Sequence, residues 1–577
     1  MKAQPQPKKM TRLQARGRGP PEARGRERFG VLSGDTSTRR RLKGVVFLAV
    51  EGKKSRVKGP ISTLPDPGFP LSLRRYVYLT AAISGGAIMI VQILGAKMLA
   101  PYVGTSHFVW TAQIAVTLVA LAFGYYLGGR QADRARRLSW LYGVLLVTAI
   151  YLSGIILVLR PIATWCLDFR LALGSLMASA LLFFIPLSLM AMTSPFLVRF
   201  LTGSVATVGG SMGRLTAVST LGSFAGTMLI GYALIPYLPN SVTLLLTAGL
   251  LAGLSAVYFL VWGRQRANWT ALAGAVIAVL ALGAAGLRVE QRQTVGDFKE
   301  LFRVNSNFGL IQVLENQAGM RFYLTDLLVQ NTYDPQSAAG MSAFTYMLHG
   351  LARAYTPEIE SALCIGLGIG LVPAQFAREG VDVDVVEINP RAAGVAAEFF
   401  DCPVETFRLT IGDGRQFINR TTNQYDTIIL DAFLGDSSPG HLMSREAFET
   451  MRQRLRPDGT LVINCFADFR PGRDFYGASL DQTLRHVFRS VRLHATGSGN
   501  VYFVASDREP LDLLRTPDFA EVPHARLRQE VQRAFGATMR ANPDHGRVLR
   551  DDYNPVEVFD ALNRETIRRE LARSMTL

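Results

Sequence analysis

The chain is poor in cysteine. Four thiols, Cys166, Cys364, Cys402 and Cys465, are spread over 577 residues, with no Cys-x-x-Cys pair and no histidine at ligand spacing. This excludes a disulfide framework and gives no sign of a zinc site, so no metal is expected and the thiols read as buried or incidental. Acid is almost missing from one long region: between Tyr76 and Leu287 only Asp133 and Asp168 occur, both between apolar runs. A proton-coupled carrier of polycations keeps a carboxylate inside its bundle, so this scarcity argues against active transport. The short apolar run Gly44 to Val50 cannot cross a bilayer, and no small-residue cleavage pattern comes after it, so no secretory signal is indicated.

Positive charge is abundant but unevenly placed. The net charge is +17, and the first 75 residues hold 19 Lys or Arg against five acids, so they carry +14 of it. The rest is nearly balanced, which removes the nucleic-acid partner that a basic total invites. Residues 1–75, rich in Arg, Lys, Gly and Pro and without periodicity, read as a disordered basic tail.

A hydrophobic share of 49% and a positive mean hydropathy of +0.19 call for membrane segments beyond that tail. Seven segments are long and apolar enough to span, at about 76–99, 109–128, 140–159, 172–197, 215–237, 241–262 and 269–287. Residues 76–287 are therefore expected to form a helical transmembrane domain in a bilayer, multi-pass in a cell membrane of the bacterial inner-membrane type. With the basic tail inside, the inward loops hold Arg130, Arg134, Arg136, Arg137, Arg199, Arg214, Arg264 and Arg266. The outward side has only Arg160, Arg170, Arg288 and Arg292, which favours an inside amino terminus. Gln92, Lys97 and Gln113 are the polar side chains inside the spans.

Beyond the last span, residues 294–340 read as a β-hairpin region, with a turn at Asn316-Gln317-Ala318-Gly319. Residues 341–510 then alternate strand and helix. Cys364-Ile365-Gly366-Leu367-Gly368-Ile369-Gly370 is a strand ending in a glycine turn, with a helix from Leu371 to Arg378. A second strand ends on Glu387, a third run gives Ile411-Gly412-Asp413-Gly414, and a fourth, Tyr425 to Leu430, delivers Asp431. In an open parallel sheet all these ends share the carboxyl edge where ligands bind. Glycines admit a close backbone approach, and a carboxylate on the next strand accepts ribose hydroxyl protons, so the set reads as a nucleoside site. Residues 511–577 read as a polar, helical tail with a turn at Asp551-Asp552-Tyr553-Asn554-Pro555.

The order Gly-x-Gly-x-Gly, Val-Glu-Ile-Asn-Pro, Gly-Asp-Gly and Tyr-Asp-x-Ile-Ile-x-Asp resembles the S-adenosylmethionine-dependent methyltransferase fold and, within it, the spermidine synthase (polyamine aminopropyltransferase) family. Leu324 to Gln330, Tyr346-Met347-Leu348-His349 and Leu442 to Phe448 resemble that family's entrance hairpin, substrate helix and post-catalytic helix, so the likeness covers roughly Val304 to Ser506. Pro195 to Arg199 and Gly222 to Gly226 resemble segments of bacterial membrane-fused members, and Gly128 to Arg137 resembles a loop of major facilitator transporters. The implied architecture is an α-helical membrane bundle followed by an α/β Rossmann-like methyltransferase-fold domain with a small N-terminal β-sheet.

The resemblance implies a transferase that moves an aminopropyl group from decarboxylated S-adenosylmethionine to a polyamine or another small amine such as putrescine. Gly366, Gly368, Gly370, Glu387, Asp413 and Gly414 would hold the nucleoside, with Glu387 on the ribose and Asp413 and Gly414 near the adenine. Gln330, Tyr346, His349 and Asp436 would face the acceptor, and a homodimer is compatible with the family. A primary amine is mostly protonated at neutral pH, and a strand-end carboxylate that takes the proton can also align the amine with the methylene beside sulfur. Asp431 is the residue placed for that.

The sequence also departs from the family. Ile369 stands where an acid normally meets the aminopropyl ammonium, Gly309 stands in place of a Gln, Asp436 lies five rather than three residues after Asp431, and Asn331 to Gly340 lacks the acidic turn. These changes keep open a methyltransferase that uses ordinary S-adenosylmethionine on a small or lipid-soluble acceptor, and a non-catalytic polyamine or nucleoside sensor. Seven crossings from an inside amino terminus put the nucleoside domain outside, whereas its donor is made in the cytoplasm. Either one segment does not cross, the Ala/Gly-rich last one being the candidate, or the nucleoside arrives through the membrane; the expectation adopted is a cytoplasmic domain.

Overall fold

The computed structural model describes residues 70–556 apart from 105, 135–136, 203–207, 264–265, 292–297, 434–438 and 521, together with 563, 565 and 566. The basic tail to residue 69 lies outside the described residues, as does most of the chain after 556.

Seven long apolar helices come first: α1 (Leu71–Val103), α2 (His107–Arg134), α3 (Leu138–Cys166), α4 (Leu171–Leu201), α5 (Val208–Tyr237), α6 (Asn240–Val261) and α7 (Arg266–Gln291). The expected tail boundary is corrected here. Residues 71–75 already belong to α1, because Arg74 and Arg75 are good helix formers and the Arg74 N–H donates to the Pro70 carbonyl at 3.1 Å. The last apolar segment, expected as the one that stays out, forms α7 and packs on α3 and α6 like its neighbours.

α1 and α5 approach closely because both carry small residues at the contact. A Cβ built on Gly222 would stand 2.0 Å from the Ala82 carbonyl oxygen, and one on Gly226 would stand 2.5 Å from that of Gly86. Such small-residue seams are how apolar helices pack without water to drive them together. α5 also contains one π turn, Ile230–Leu234.

A five-stranded antiparallel meander comes next, β1 (Lys299–Ser306), β2 (Gly309–Glu315), β3 (Arg321–Thr325), β4 (Leu328–Asp334) and β5 (Ala339–Gly340), so the expected hairpin region is a fuller sheet. Lys97, from within α1, donates to the Asn307 carbonyl at 2.8 Å and ties this sheet to the bundle.

The chain then builds α8 (Ala343–Tyr355), β6 (Ser361–Ile365), α9 (Leu371–Arg378), β7 (Asp382–Glu387), α10 (Ala392–Phe400), β8 (Arg408–Ile411), α11 (Gly414–Arg420), β9 (Tyr425–Leu430), α12 (Arg445–Arg454), β10 (Leu455–Asp468), α13 (Phe475–Val487), β11 (Ser490–His494), β12 (Ser498–Ser506), α14 (Ala525–Gly536) and β13 (Thr538–Met539). The strands form one sheet in the order β13-β11-β12-β10-β9-β6-β7-β8. From β10 to β8 every pairing is parallel, and β12 is antiparallel to β10. β6 and β9 are apolar runs buried on both faces, as parallel strands between helical layers must be.

The tail expected from residue 511 is corrected as well. Leu511, Phe519, Val522, Leu527 and Val531 share the α8 core, and β13 pairs with β11 through Leu493 and Met539. Apolar residues spaced along α14 and before it gain more by covering α8 than by staying in water.

Gly222→Leu is expected to lower the thermal stability of the detergent-solubilised chain by about 1–3 kcal/mol through overpacking. Gly249→Leu, whose Cβ meets nothing within 4 Å, leaves it unchanged.

Candidate active site

The order of strands reverses between β6 and β9, since β7 lies on one side of β6 and β9 on the other. Such a switch point opens a crevice at the carboxyl ends of the strands. Here it is a cleft of about 1020 Å³, roofed by the meander through Phe308, Tyr323 and Gln330. Gly366, Gly368, Glu387, Asp413, Gly414 and Asp431 all line it.

Gly366 lets the crevice form. Its φ is +101°, and a Cβ there would stand 2.2 Å from the Asp431 carbonyl oxygen. The strand ends are pinned around it: Gly366 N–H donates to Val386 O at 2.8 Å and Asp431 N–H to Ile365 O at 3.0 Å. Gly370 has another duty. It is at φ +79°, starts α9 and makes room for the Cys402 thiol, which a Cβ would meet at 2.1 Å, and it does not line the cleft.

Glu387 ends β7, and its two carboxylate oxygens accept from Leu367 N–H at 3.0 Å and Asn389 N–H at 2.7 Å. Burial raises its pKa above the usual carboxylate range, against these backbone donors. Asp413 caps α11 by accepting from Gln416 N–H at 2.8 Å, and its other oxygen lies 2.9 Å from His441 Nε2. His441 lines the same cleft and was not read from the sequence, since its role depends on a loop returning past residue 438.

Asp431 comes directly after β9. Burial pushes its pKa up to about 6, while the amide of Asn464 on the neighbouring β10, donating to Oδ1 at 2.9 Å, pulls it down. The carboxyl is thus poised to change protonation near neutrality, as a proton acceptor must. Asn464 was also missed in the sequence, where nothing distinguishes an Asn in an apolar strand. Its own Oδ1, with the Oδ1 atoms of Asn331 and Asn500, is buried without a hydrogen-bond partner among the described residues, and all three residues line the cleft. Orphaned buried acceptors are costly, so a cleft built with three of them suits a polar ligand rich in N–H or O–H groups. Phe433 and Phe466, with ring centres 5.2 Å apart, stand at the same place and offer π faces to a cation.

Other expected acceptor residues fare differently. Gln330 reaches the cleft, whereas Asp436 lies outside the described residues. Tyr346 and His349 do share a face of α8, but that face turns away. The Tyr346 hydroxyl donates to Gly340 O at 2.9 Å, and His349 lies 2.9 Å from Glu379 with its ring 4.7 Å from that of Phe376. Neither lines the cleft, and His349 packs against Phe376 of α9. Ile369 is buried against Ile311, Val313, Tyr323 and Tyr333 beneath the meander, so the position that carries an acid in the resembled family is occupied by core.

Residues 341–495 match the model of the spermine/spermidine synthase domain. The N-terminal histidine N-methyltransferase of Emericella nidulans is 34% identical over 25% of this chain and 26% of its own length. The polyamine aminopropyltransferase of Vibrio vulnificus is 39% identical over 20% of this chain and 40% of its own. The chain therefore spans less than half of either relative. A probable spermidine synthase of Corynebacterium glutamicum, known from its crystal structure, is 19% identical over 42% of this chain and 96% of its own, with a TM-score of 0.33. The chain thus carries a spermine/spermidine synthase domain in its C-terminal part, behind seven long apolar helices.

Proposed function

We propose that the protein is a membrane-tethered aminopropyltransferase that moves an aminopropyl group from decarboxylated S-adenosylmethionine to a small amine. The observation that carries the reading is a buried carboxyl, Asp431, held by Asn464 at the end of β9 beside a glycine-turn nucleoside cleft. The amine nitrogen attacks the methylene beside the sulfonium, the carbon–sulfur bond breaks, methylthioadenosine leaves, and Asp431 takes the proton that the amine loses. Glu387, fixed by two backbone N–H groups, orients the ribose, and Asp413 with Gly414 borders the adenine. Gln330 and the open amide oxygens of Asn464 and Asn500 hold the acceptor.

A second reading rests on Ile369. With the aminopropyl-clamping acid replaced by a core residue, methyl transfer from ordinary S-adenosylmethionine to a small acceptor uses the same cleft and base. The two readings differ in product. Aminopropyl transfer releases methylthioadenosine, and methyl transfer releases S-adenosylhomocysteine, so mass spectrometry of reactions with both donors and a panel of amines decides between them. Formation of neither would sink both.

The seven helices serve as the tether. The sheet domain abuts the far ends of α1, α3, α5 and α7, through Tyr102, Arg160, Tyr237 and Glu290, while Arg130, Arg134 and Arg199 lie at the opposite ends. By the positive-inside rule this arrangement favours a sheet domain outside the cytoplasm, reversing the expectation drawn from where the donor is made. A C-terminal alkaline phosphatase fusion is then active in intact bacteria, and an inactive one places the domain in the cytoplasm.

Asp431→Asn is expected to reduce transfer by about 10²–10⁴-fold while donor binding, followed by calorimetry, stays within a fewfold. Only the ionised carboxyl accepts a proton, so kcat/KM falls as the pH drops through about 6. Asn464→Leu removes a contact that lowers the Asp431 pKa and should move that acidic limb to higher pH; an unmoved limb would show that another group sets it.

A further inference from the structure

A second cavity, of about 1090 Å³, lies between the helix ends and the meander, apart from the transfer cleft. One wall is apolar and belongs to the helices: Met98 on α1, Ile156 and Leu159 on α3, and Leu238 after α5. The sheet side adds Val304, Leu310 and Leu327 together with two arginines, Arg303 on β1 and Arg391 before α10, while Arg160 and Glu290 come from α3 and α7. Tyr102 and Tyr237 also line it, the latter 76% exposed, as aromatic rings are at the level of lipid headgroups.

The charges do not cancel. Arg303 is paired with Glu300 at 2.7 Å and with Glu290, which also lines the cavity, at 3.5 Å, so three guanidiniums meet two carboxylates and one positive charge is left over. Arg160 and Arg391 have no carboxylate within 4.0 Å among the described residues. Two guanidiniums thus face a space whose other side is hydrocarbon. Arginine forks match phosphate oxygens in pairs, and an apolar wall beside them suits an alkyl chain rather than a free ion.

We propose that this cavity holds an anionic, phosphate-bearing amphiphile, a lipid of the surrounding bilayer, with Arg160 and Arg391 on the phosphate and the α1 and α3 side chains along its chain. The proposal rests on the membrane reading of the helices but not on the transfer reaction.

The test is native mass spectrometry of the full chain in detergent, titrated with dioleoyl phosphatidylglycerol, dioleoyl phosphatidylcholine or inorganic phosphate. Phosphatidylglycerol is expected to bind in preference to phosphatidylcholine, and to weaken about fivefold for Arg160→Gln or Arg391→Gln and about 25-fold for the pair. Inorganic phosphate that competes with the lipid assigns the guanidiniums to the phosphate alone; failure to compete assigns part of the affinity to the chain. Equal affinity for the two lipids would overturn the proposal, as would unchanged binding by the double variant with a wild-type melting temperature. Arg160→Lys with Arg391→Lys keeps the charge but not the paired fork and should bind between the wild type and the Gln pair, which separates a lost site from a lost fold. Recovery of the chain in the soluble fraction after expression would instead refute the membrane reading beneath it.

Discussion

The site depends on how closely β6 and β9 approach at their carboxyl ends. Gly366 turns away from the sheet with its α-carbon against the Asp431 backbone, where any side chain would overlap the carbonyl. Two backbone hydrogen bonds, Gly366 to Val386 and Asp431 to Ile365, lock the ends of β6, β7 and β9 into one plane. Once that plane is fixed, Glu387 and Asp431 cannot avoid facing the same crevice, because each is the residue that its strand delivers last. The cleft arises from strand pairing more than from any side-chain contact within it.

Two carboxyls in one buried crevice need different treatment to do different work. Each oxygen of Glu387 accepts from one backbone donor, which fixes its geometry and leaves lone pairs for the cleft. Asp431 has one amide donor and otherwise faces the cleft, so burial dominates and its pKa rises to about 6. Burial raises both carboxyls, but Glu387 is held by two backbone donors and Asp431 by one side-chain amide. The division resembles other sites in which environment sets the roles of two acids of the same chemical type.

The helical region joins the domain at its roof. Lys97 reaches from α1 to the turn between β1 and β2, and the next residue of that turn, Phe308, lines the cleft. The meander is therefore shared. One end of it meets the bundle, while Tyr323 and Gln330 cover the cleft. A helical bundle connected in this way bears on the roof of the cleft rather than on the sheet that carries the carboxyls.

Much was legible in the sequence because it depends on local order. Long apolar runs announce helices, a glycine turn between an apolar strand and a helix announces a crevice, and a carboxylate that closes a strand must point to the ligand edge. The helix from Leu371 to Arg378 and the alignment of Gly366, Glu387 and Asp431 needed nothing more. What the tertiary structure decided is which face of each element the cleft meets. Tyr346 and His349 share a helix face as their spacing requires, yet Tyr346 bonds the Gly340 carbonyl and His349 meets Phe376 and Glu379, and helical periodicity cannot say which neighbours cover a face. Gly370 belongs to packing because Cys402, 32 residues on, lies against it. Asn464, Asn500 and His441 reach the site only through pairings and a returning loop between segments distant in the chain, whose energies come from long-range contacts and leave no local trace in the sequence.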